Sequence, residues 1–378
     1  MSENCFESNE TVTDAPASIE SHDRAERETE EKKALLDLVL ALRKSEIQEF
    51  LEEKEMTKSG TKQELRARLQ EALDEGALLY DQLVDLLDSV APWGKQHVFL
   101  HEGPRTDIQS WKSPEYVLAL LKQHGGEELF NARLPLKLPI RLTISSVEHA
   151  EDRLCVTAIQ RREHSEREPG YDRDEEARNG DRIELRAYRY RPARTLVIFE
   201  WDLVANLAML QITQLQEEDE YEKVAQEFFD KVPWLNHKLF SPVDLRPAIL
   251  KFHEDEKNGQ GEIRSHGVHY LTPRGRRIAA HSPSFRDSVV GEIFLDDAMD
   301  RIRRSGSGHI GNFYFLPKVA PGPLTNPLTN DVHVIIVGSK SRINFPTPNT
   351  EEVIRYVLHR VRSLSAKTPG SSEHLQAA

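Results

Sequence analysis

Cysteine is nearly absent from this sequence of 378 residues, which contains only Cys5 and Cys155. Two cysteines cannot build a disulfide framework or supply the four thiolates of a four-cysteine zinc site. So little cysteine is typical of a protein from a reducing compartment. We therefore expect an intracellular protein, located in the cytoplasm or nucleoid, or in the nucleus if the source is eukaryotic.

Long apolar segments are also missing. The longest apolar stretches, such as Val334 to Val337, have the length of a strand. A helix that spans a bilayer needs about 20 consecutive apolar residues. The N-terminus is acidic and polar, so we expect no signal peptide and no membrane partner.

An overall excess of positive charge is excluded as well. The chain has 50 Lys and Arg against 63 Asp and Glu, a formal net charge of -13. Residues 1–33 hold ten of these acids and four of the bases, with almost nothing to bury, and they are predicted to be a disordered acidic tail. Residues 366–378 are predicted to be a second disordered tail. Because binding is local, a local basic site remains compatible with this balance.

The spacing of apolar residues changes along the chain and predicts an α+β fold. Leucine and valine recur at helical spacing over 34–92, and 93–133 is a linker with a short helix near Pro114. From 134 to 365 alternating strand patterns mix with helical ones, which predicts an antiparallel sheet with helices. This body is one domain, or two subdomains with a soft break near 214–260.

One predicted strand of the body carries arginine and tyrosine in close succession. Arg186, Arg189, Arg191 and Arg194 surround Tyr188 and Tyr190. The mixed-charge segment that precedes them, 161–182, is predicted to be a solvated insertion between two strands. Arginine beside aromatic rings can hold single-stranded nucleic acid by charge and stacking. An ordinary amphipathic strand with arginines in solvent explains the same alternation, and we favour that interpretation.

Two helix starts stand in residues 43–73. Ser45 is followed three residues later by Gln48, and Thr61 by Glu64. Both spacings match a capping box, in which each side chain bonds the free backbone N–H of the other residue. They predict two short helices, from Glu46 to about Lys54 and from Lys62 to about Leu73.

This segment resembles the SAP motif, a helix–extended link–helix module that binds DNA. The matching features are Ile47, Leu51, Met56, Ser59-Gly60-Thr61-Lys62, Leu65 and Arg68-Leu69. The resemblance implies that the link and the basic residues of the second helix contact DNA. Carried over to this chain, the implied DNA-binding residues are Lys58, Gly60, Thr61, Lys62, Arg66 and Arg68.

Three features of the segment depart from that expectation. The family usually has glycine where this chain has Glu55, and residues 43–73 hold seven bases and seven acids. Glu64 would compete with a phosphate at the start of the second helix. A small helical hairpin that packs on its neighbours or binds protein therefore stays open as an alternative. Lys62, in contrast, is consistent with DNA contact: a cation in that helix's first turn is mildly unfavourable to the helix dipole, so stability alone does not explain its presence.

A second basic patch is predicted in the body, and no chemical motif accompanies it. Arg274, Arg276 and Arg277 lie in a tight turn that could face a phosphate. His266 and His269 lack a third ligand at metal-site spacing, so we expect no metal. No phosphate-binding loop or nucleophile motif is present, and we expect no catalytic residues and no cofactor.

These patterns favour a DNA-associated, non-enzymatic protein. In this hypothesis the SAP-like module tethers the α+β body to duplex DNA, weakly and largely without sequence specificity. Two alternatives remain open: a nucleic-acid-processing enzyme such as a nuclease, and a protein-interaction scaffold.

Overall fold

The computed structural model describes residues 32–105, 108–135, 138–150, 152–213, 215, 220–259, 261–318 and 325–365. The tails predicted at 1–33 and 366–378 lie outside these ranges, apart from residues 32 and 33. Within the described ranges, no helix has both the length and the apolar character needed to cross a membrane.

The chain divides into two compact units between Leu87 and Asp88. The first unit is helical and contains α1 (32–41), α2 (Lys44–Glu53), α3 (Lys62–Asp74) and most of α4 (Tyr80–Val90). Each helix buries one apolar stripe, as the spacing of leucines along the sequence predicts. The residues with no exposed surface are Leu35, Leu36, Val39, Ile47, Leu51, Leu65, Leu69 and Leu83.

The second unit combines helices with a large sheet. Its helices are α5 (Ile108–Trp111), α6 (Pro114–Gln123), α7 (Glu220–Lys231), α8 (Arg246–Lys257), α9 (Ile293–Ser305) and α10 (Glu351–Ser365). Its strands are β1 (Gln96–Glu102), β2 (Thr143–Ala150), β3 (Arg153–Arg167), β4 (Arg173–Glu176), β5 (Arg182–Leu185), β6 (Tyr188–Asp202), β7 (Leu207–Thr213), β8 (Ser241–Pro242), β9 (Ile263–Leu271), β10 (Arg277–His281), β11 (Ser307–Phe315), β12 (Val332–Val337) and β13 (Arg342–Phe345).

Eleven of these strands form one antiparallel sheet, in the order β10-β9-β11-β12-β13-β1-β7-β6-β3-β2, with β8 paired to β1. β4 and β5 form a separate pair. The α+β fold class predicted from the sequence is therefore confirmed. The sequence predicts an unpaired insertion between β3 and β6. In the structure the two strands instead stay paired as far as Arg167↔Tyr188, well into the charged segment.

β1 is shared by two hydrophobic cores. Its Val98 and Leu100 belong to a core with residues of α8, α10 and β9–β13. Its Phe99 belongs to a second core with residues of α6, α7, β3, β6 and β7. Because successive side chains of a strand point to opposite faces, the two cores lie on opposite faces of the sheet.

Candidate nucleic-acid interface

The α2–link–α3 segment is held by buried apolar contacts on both helices. Ile47 and Leu51 of α2, and Leu65 and Leu69 of α3, have no exposed surface. Each pair is spaced by four residues and so lies on one helix face. This packing fixes the orientation of the two helices and of the link, residues 54–61, that joins them.

The start of α3 has the capping box that the sequence predicts. The Thr61 amide donates to Glu64 Oε2 at 2.6 Å, and the Glu64 amide donates to Thr61 Oγ1 at 3.3 Å. The Thr61 amide and hydroxyl hold the pKa of the Glu64 carboxyl below its usual value, so this group is a carboxylate near pH 7. An anion of the protein itself therefore occupies the helix N-terminus.

Glycine at position 60 is required by this capping box. Gly60 has φ +129°, and a Cβ built there would lie 2.8 Å from Glu64 Oε2. The link contains a second left-handed residue, because Glu55 has φ 57°. Glycine adopts such values without strain, whereas a residue with a Cβ does so at a cost. Glu55 therefore holds a backbone conformation that favours glycine.

The start of α2 differs from its prediction. Helix α2 begins at Lys44 and is capped by Arg43, whose amide donates to Glu46 Oε2 at 2.9 Å. Ser45 therefore lies within the first turn, and the predicted Ser45–Gln48 box is wrong. Gln48 instead donates from Nε2 to the Lys58 carbonyl at 2.8 Å.

Side chains hold three consecutive carbonyls of the link. Arg68 Nη1 donates to the Thr57 carbonyl at 2.5 Å and to the Ser59 carbonyl at 2.9 Å. Together with the bond from Gln48 to Lys58, these contacts fix the backbone on both sides of Lys58. The Arg68 guanidinium is half-buried and thus has a structural function in the link.

Lys62 bonds to the end of another helix. Its Nζ donates to the carbonyls of Leu40 and Leu42, each at 2.7 Å, at the C-terminal end of α1. Terminal carbonyls lack intrahelical partners, and a cation suits the negative end of the dipole. This contact explains a lysine that is unfavourable to its own helix.

The remaining two cations of the set form ion pairs. Arg66 pairs with Asp37, and Lys58 Nζ lies 2.6 Å from Glu52 Oε2. The side chains of Lys58 and Glu52 are 50% and 61% exposed, so this pair is weak and open to exchange. Among the six implied residues, Lys58, Thr61 and Lys62 are exposed, whereas Gly60, Arg66 and Arg68 are half-buried.

The second basic patch lies at the β9–β10 turn. The Gly275 amide donates to the Thr272 carbonyl at 2.8 Å, and Gly275 has φ +73°, which closes the turn. Arg274, Arg276 and Arg277 are all exposed. Within the described residues their guanidinium groups have no ion-pair partner, in contrast to Arg66. The turn belongs to the second unit, and the helical segment belongs to the first.

Histidines approach each other beside this turn. The Nε2 atoms of His269 and His281 lie 3.0 Å apart. Burial and the nearby Arg277 guanidinium lower the pKa of His269 to about 4, so it is neutral near pH 7. Within the described part of the chain, no group of three His, Cys, Asp or Glu side chains could hold a metal ion.

The second unit contains a cleft that no sequence pattern predicts. The cleft has a volume of about 510 Å³ and is lined by β3, β6 and the start of α10. Arg355 donates to both carboxylate oxygens of Glu200, at 2.8 and 3.0 Å, and also pairs with Glu351. Burial raises the pKa of the Cys155 thiol to about 12, so it is not a thiolate nucleophile near pH 7. Arg355 and Glu200 are 155 residues apart, and no local pattern reports such a pair.

Comparison with known proteins assigns no family to this chain. No protein-family model matches it. No curated protein matches it either.

Proposed function

We propose that this chain binds duplex DNA through the α2–link–α3 segment, weakly and largely without sequence specificity, and so tethers its α+β unit to DNA. The observation that supports this proposal is the fixed link, which presents exposed Lys58 and Thr61 beside the start of α3. A clamped backbone loses little conformational freedom when a phosphate binds to it. Contacts of this kind set position on the duplex and carry little sequence information.

The bonding pattern separates two sets of cations. Lys62, Arg66 and Arg68 hold the segment together and contribute positive potential. Lys58 is the cation whose ion pair a phosphate replaces at little cost, because its partner Glu52 is highly exposed. With Glu64 at the helix N-terminus, few phosphate contacts form, and weak binding follows.

The proposal is tested by titrating the full chain into a labelled duplex at about 50 and 200 mM salt. Each phosphate contact adds about -0.9 to the slope of log K against log salt, and we expect a slope of about -2 to -3. Lys58→Gln should reduce the slope by about 1. Lys32→Gln is the matched control, because Lys32 is 40% exposed and faces Asp74 at the opposite end of α3.

A DNA affinity that does not change with salt concentration would contradict the proposal. So would equal effects of Lys58→Gln and Lys32→Gln on the salt slope. Arg274→Gln combined with Arg277→Gln tests the second patch. If this double substitution abolishes DNA binding while Lys58→Gln has no effect, the DNA site lies in the second unit.

A further inference from the structure

The β3–β6 pair extends beyond its two neighbouring strands as a two-stranded ribbon. Its base is held by pairs of Arg162 with Glu220 and Arg194 with Asp88, at 2.8 and 2.9 Å. β2 pairs with β3 only as far as Ile159, and β7 pairs with β6 only from Val197. The two strands continue together from Gln160↔Thr195 to Arg167↔Tyr188, eight positions or about 26 Å. We call residues 160–195 the arm; its far end contains β4 and β5.

The arm exposes large side chains. Tyr171, Tyr188 and Tyr190 are 65%, 50% and 64% exposed, and Ile183 and Leu185 are 41% and 43% exposed. Tyr188 and Tyr190 lie opposite Arg167 and Ser165, so the four side chains share one face. An isolated two-stranded ribbon is marginally stable in water, and a second surface on this face would stabilise it.

The arginines and tyrosines of the arm, unlike its nine acids, are of the types enriched at protein interfaces. All ten of its cations are arginine, and no lysine occurs between Lys137 and Lys223. Tyrosine and arginine are enriched where proteins meet, whereas lysine is depleted there. Arginine forms bidentate pairs with carboxylates, and it stacks on aromatic rings: the Arg167 guanidinium lies 5.5 Å from the centre of the Tyr188 ring.

The charges of the arm identify the kind of partner. Nine Asp and Glu accompany the ten arginines, so the arm as a whole attracts neither a polyanion nor a polycation strongly. At its far end, Arg173 and Arg178 have no ion-pair partner among the described residues, and neither do Glu175 and Glu176. A partner that carries both signs can pair with both sets.

We propose that the arm is a self-association surface, in which the tyrosine face of one chain packs on the arm of a second copy. A two-fold arrangement places the unpaired arginines of each chain against the unpaired carboxylates of the other. On β6 the contact is made by side chains, because position 192 is a proline, which has no amide N–H to donate to an added strand. We expect weak association, with a dissociation constant in the micromolar range, since a single ribbon face is a small contact.

Sedimentation velocity of the full chain over a hundredfold concentration range around the micromolar tests this proposal. We expect a monomer–dimer equilibrium that weakens with salt. Tyr188→Ser with Tyr190→Ser should raise the dissociation constant at least tenfold. The control Tyr116→Ser, a 38% exposed tyrosine on α6, should leave it unchanged.

A monomer at every concentration would overturn the proposal, as would a dimer that the double substitution leaves intact. Titrations of the same variants with duplex and single-stranded DNA test whether the arm binds nucleic acid. If the double substitution weakens DNA binding in a monomeric chain, the arm is a nucleic-acid contact instead. This result leaves the Lys58 test unaffected.

Discussion

Replacing Lys62 tests whether its contact with α1 stabilises the helical unit. The Lys62 ammonium donates to two terminal carbonyls of α1, each at 2.7 Å. A hydrogen bond from a charged donor contributes up to about 1.5–3 kcal/mol, and an exposed one contributes less. The dipole of α1 adds about 0.3–1 kcal/mol. We therefore expect Lys62→Met to cost about 1–2 kcal/mol of local stability.

Lys62→Glu distinguishes the two helices that meet at this residue. Considered alone, α3 should gain a few tenths of a kcal/mol from an acid in its first turn, up to about 1. The α1 contact predicts the opposite sign, because a carboxylate would replace the donor and face the same two carbonyls. The net expectation is a loss of about 1–2 kcal/mol, although the helix dipole of α3 by itself favours glutamate.

Native-state hydrogen exchange of the full chain measures this effect locally. A loss of about 1.4 kcal/mol corresponds to about tenfold faster exchange of the α1 amides when exchange follows local opening. Lys58→Glu is the matched control, because it makes the same charge change on the link and breaks only the exposed pair with Glu52. Unchanged or slower exchange of α1 in both Lys62 variants would refute the assigned contact.

Glu55→Gly should stabilise the helical unit by about 0.5–1 kcal/mol, since φ 57° suits glycine; a lower denaturation midpoint would contradict this. Gly60→Ala should destabilise it by about 1 kcal/mol or more because of its φ and the nearby Glu64, and thermal unfolding measures this. Burial lowers the pKa of His97 to about 3 from 6.5, so the unfolded state binds more protons between these values and stability falls as the pH decreases through this window. His97→Gln should flatten that acid dependence in denaturant titrations at several pH values. Arg355→Met removes the bidentate partner of the nearly buried Glu200, leaves it only the more distant Arg153 at 3.8 Å, and should cost about 1–3 kcal/mol, which an unchanged melting temperature would disprove.

Local signals predicted the elements that local chemistry determines. The Thr61–Glu64 spacing located α3. A threonine also precedes α10: Thr350 caps it, since the Val353 amide donates to its Oγ1 at 3.4 Å. The same spacing at Ser45 and Gln48 gave a wrong start for α2, because a distant partner, the Lys58 carbonyl, takes the Gln48 side chain. A capping motif predicts a cap only when nothing else in the fold uses its side chains.

Features that depend on distant partners could not be predicted from the sequence. The acids and arginines of 161–182 looked like a solvated insertion, yet β6 supplies a backbone partner as far as Arg167. The position of the Lys62 ammonium depends on where α1 ends, and the cleft depends on a pair between α10 and β6. The DNA-binding residues remain a prediction from resemblance, and the structure adds which of them also hold the fold.

The position of β1 also has a consequence for synthesis of the chain. β1 is the first strand of the second unit to leave the ribosome, yet its partners are residues 207–213 of β7, 241–242 of β8 and 342–345 of β13. Neither edge of β1 can be completed until most of the chain has emerged, and Val98, Phe99 and Leu100 stay uncovered during that time. Pairings so distant in sequence form slowly and leave strand edges open to association. Nascent chains that stop before β13 should therefore aggregate or recruit chaperones, whereas the helical unit can fold before β1 is made.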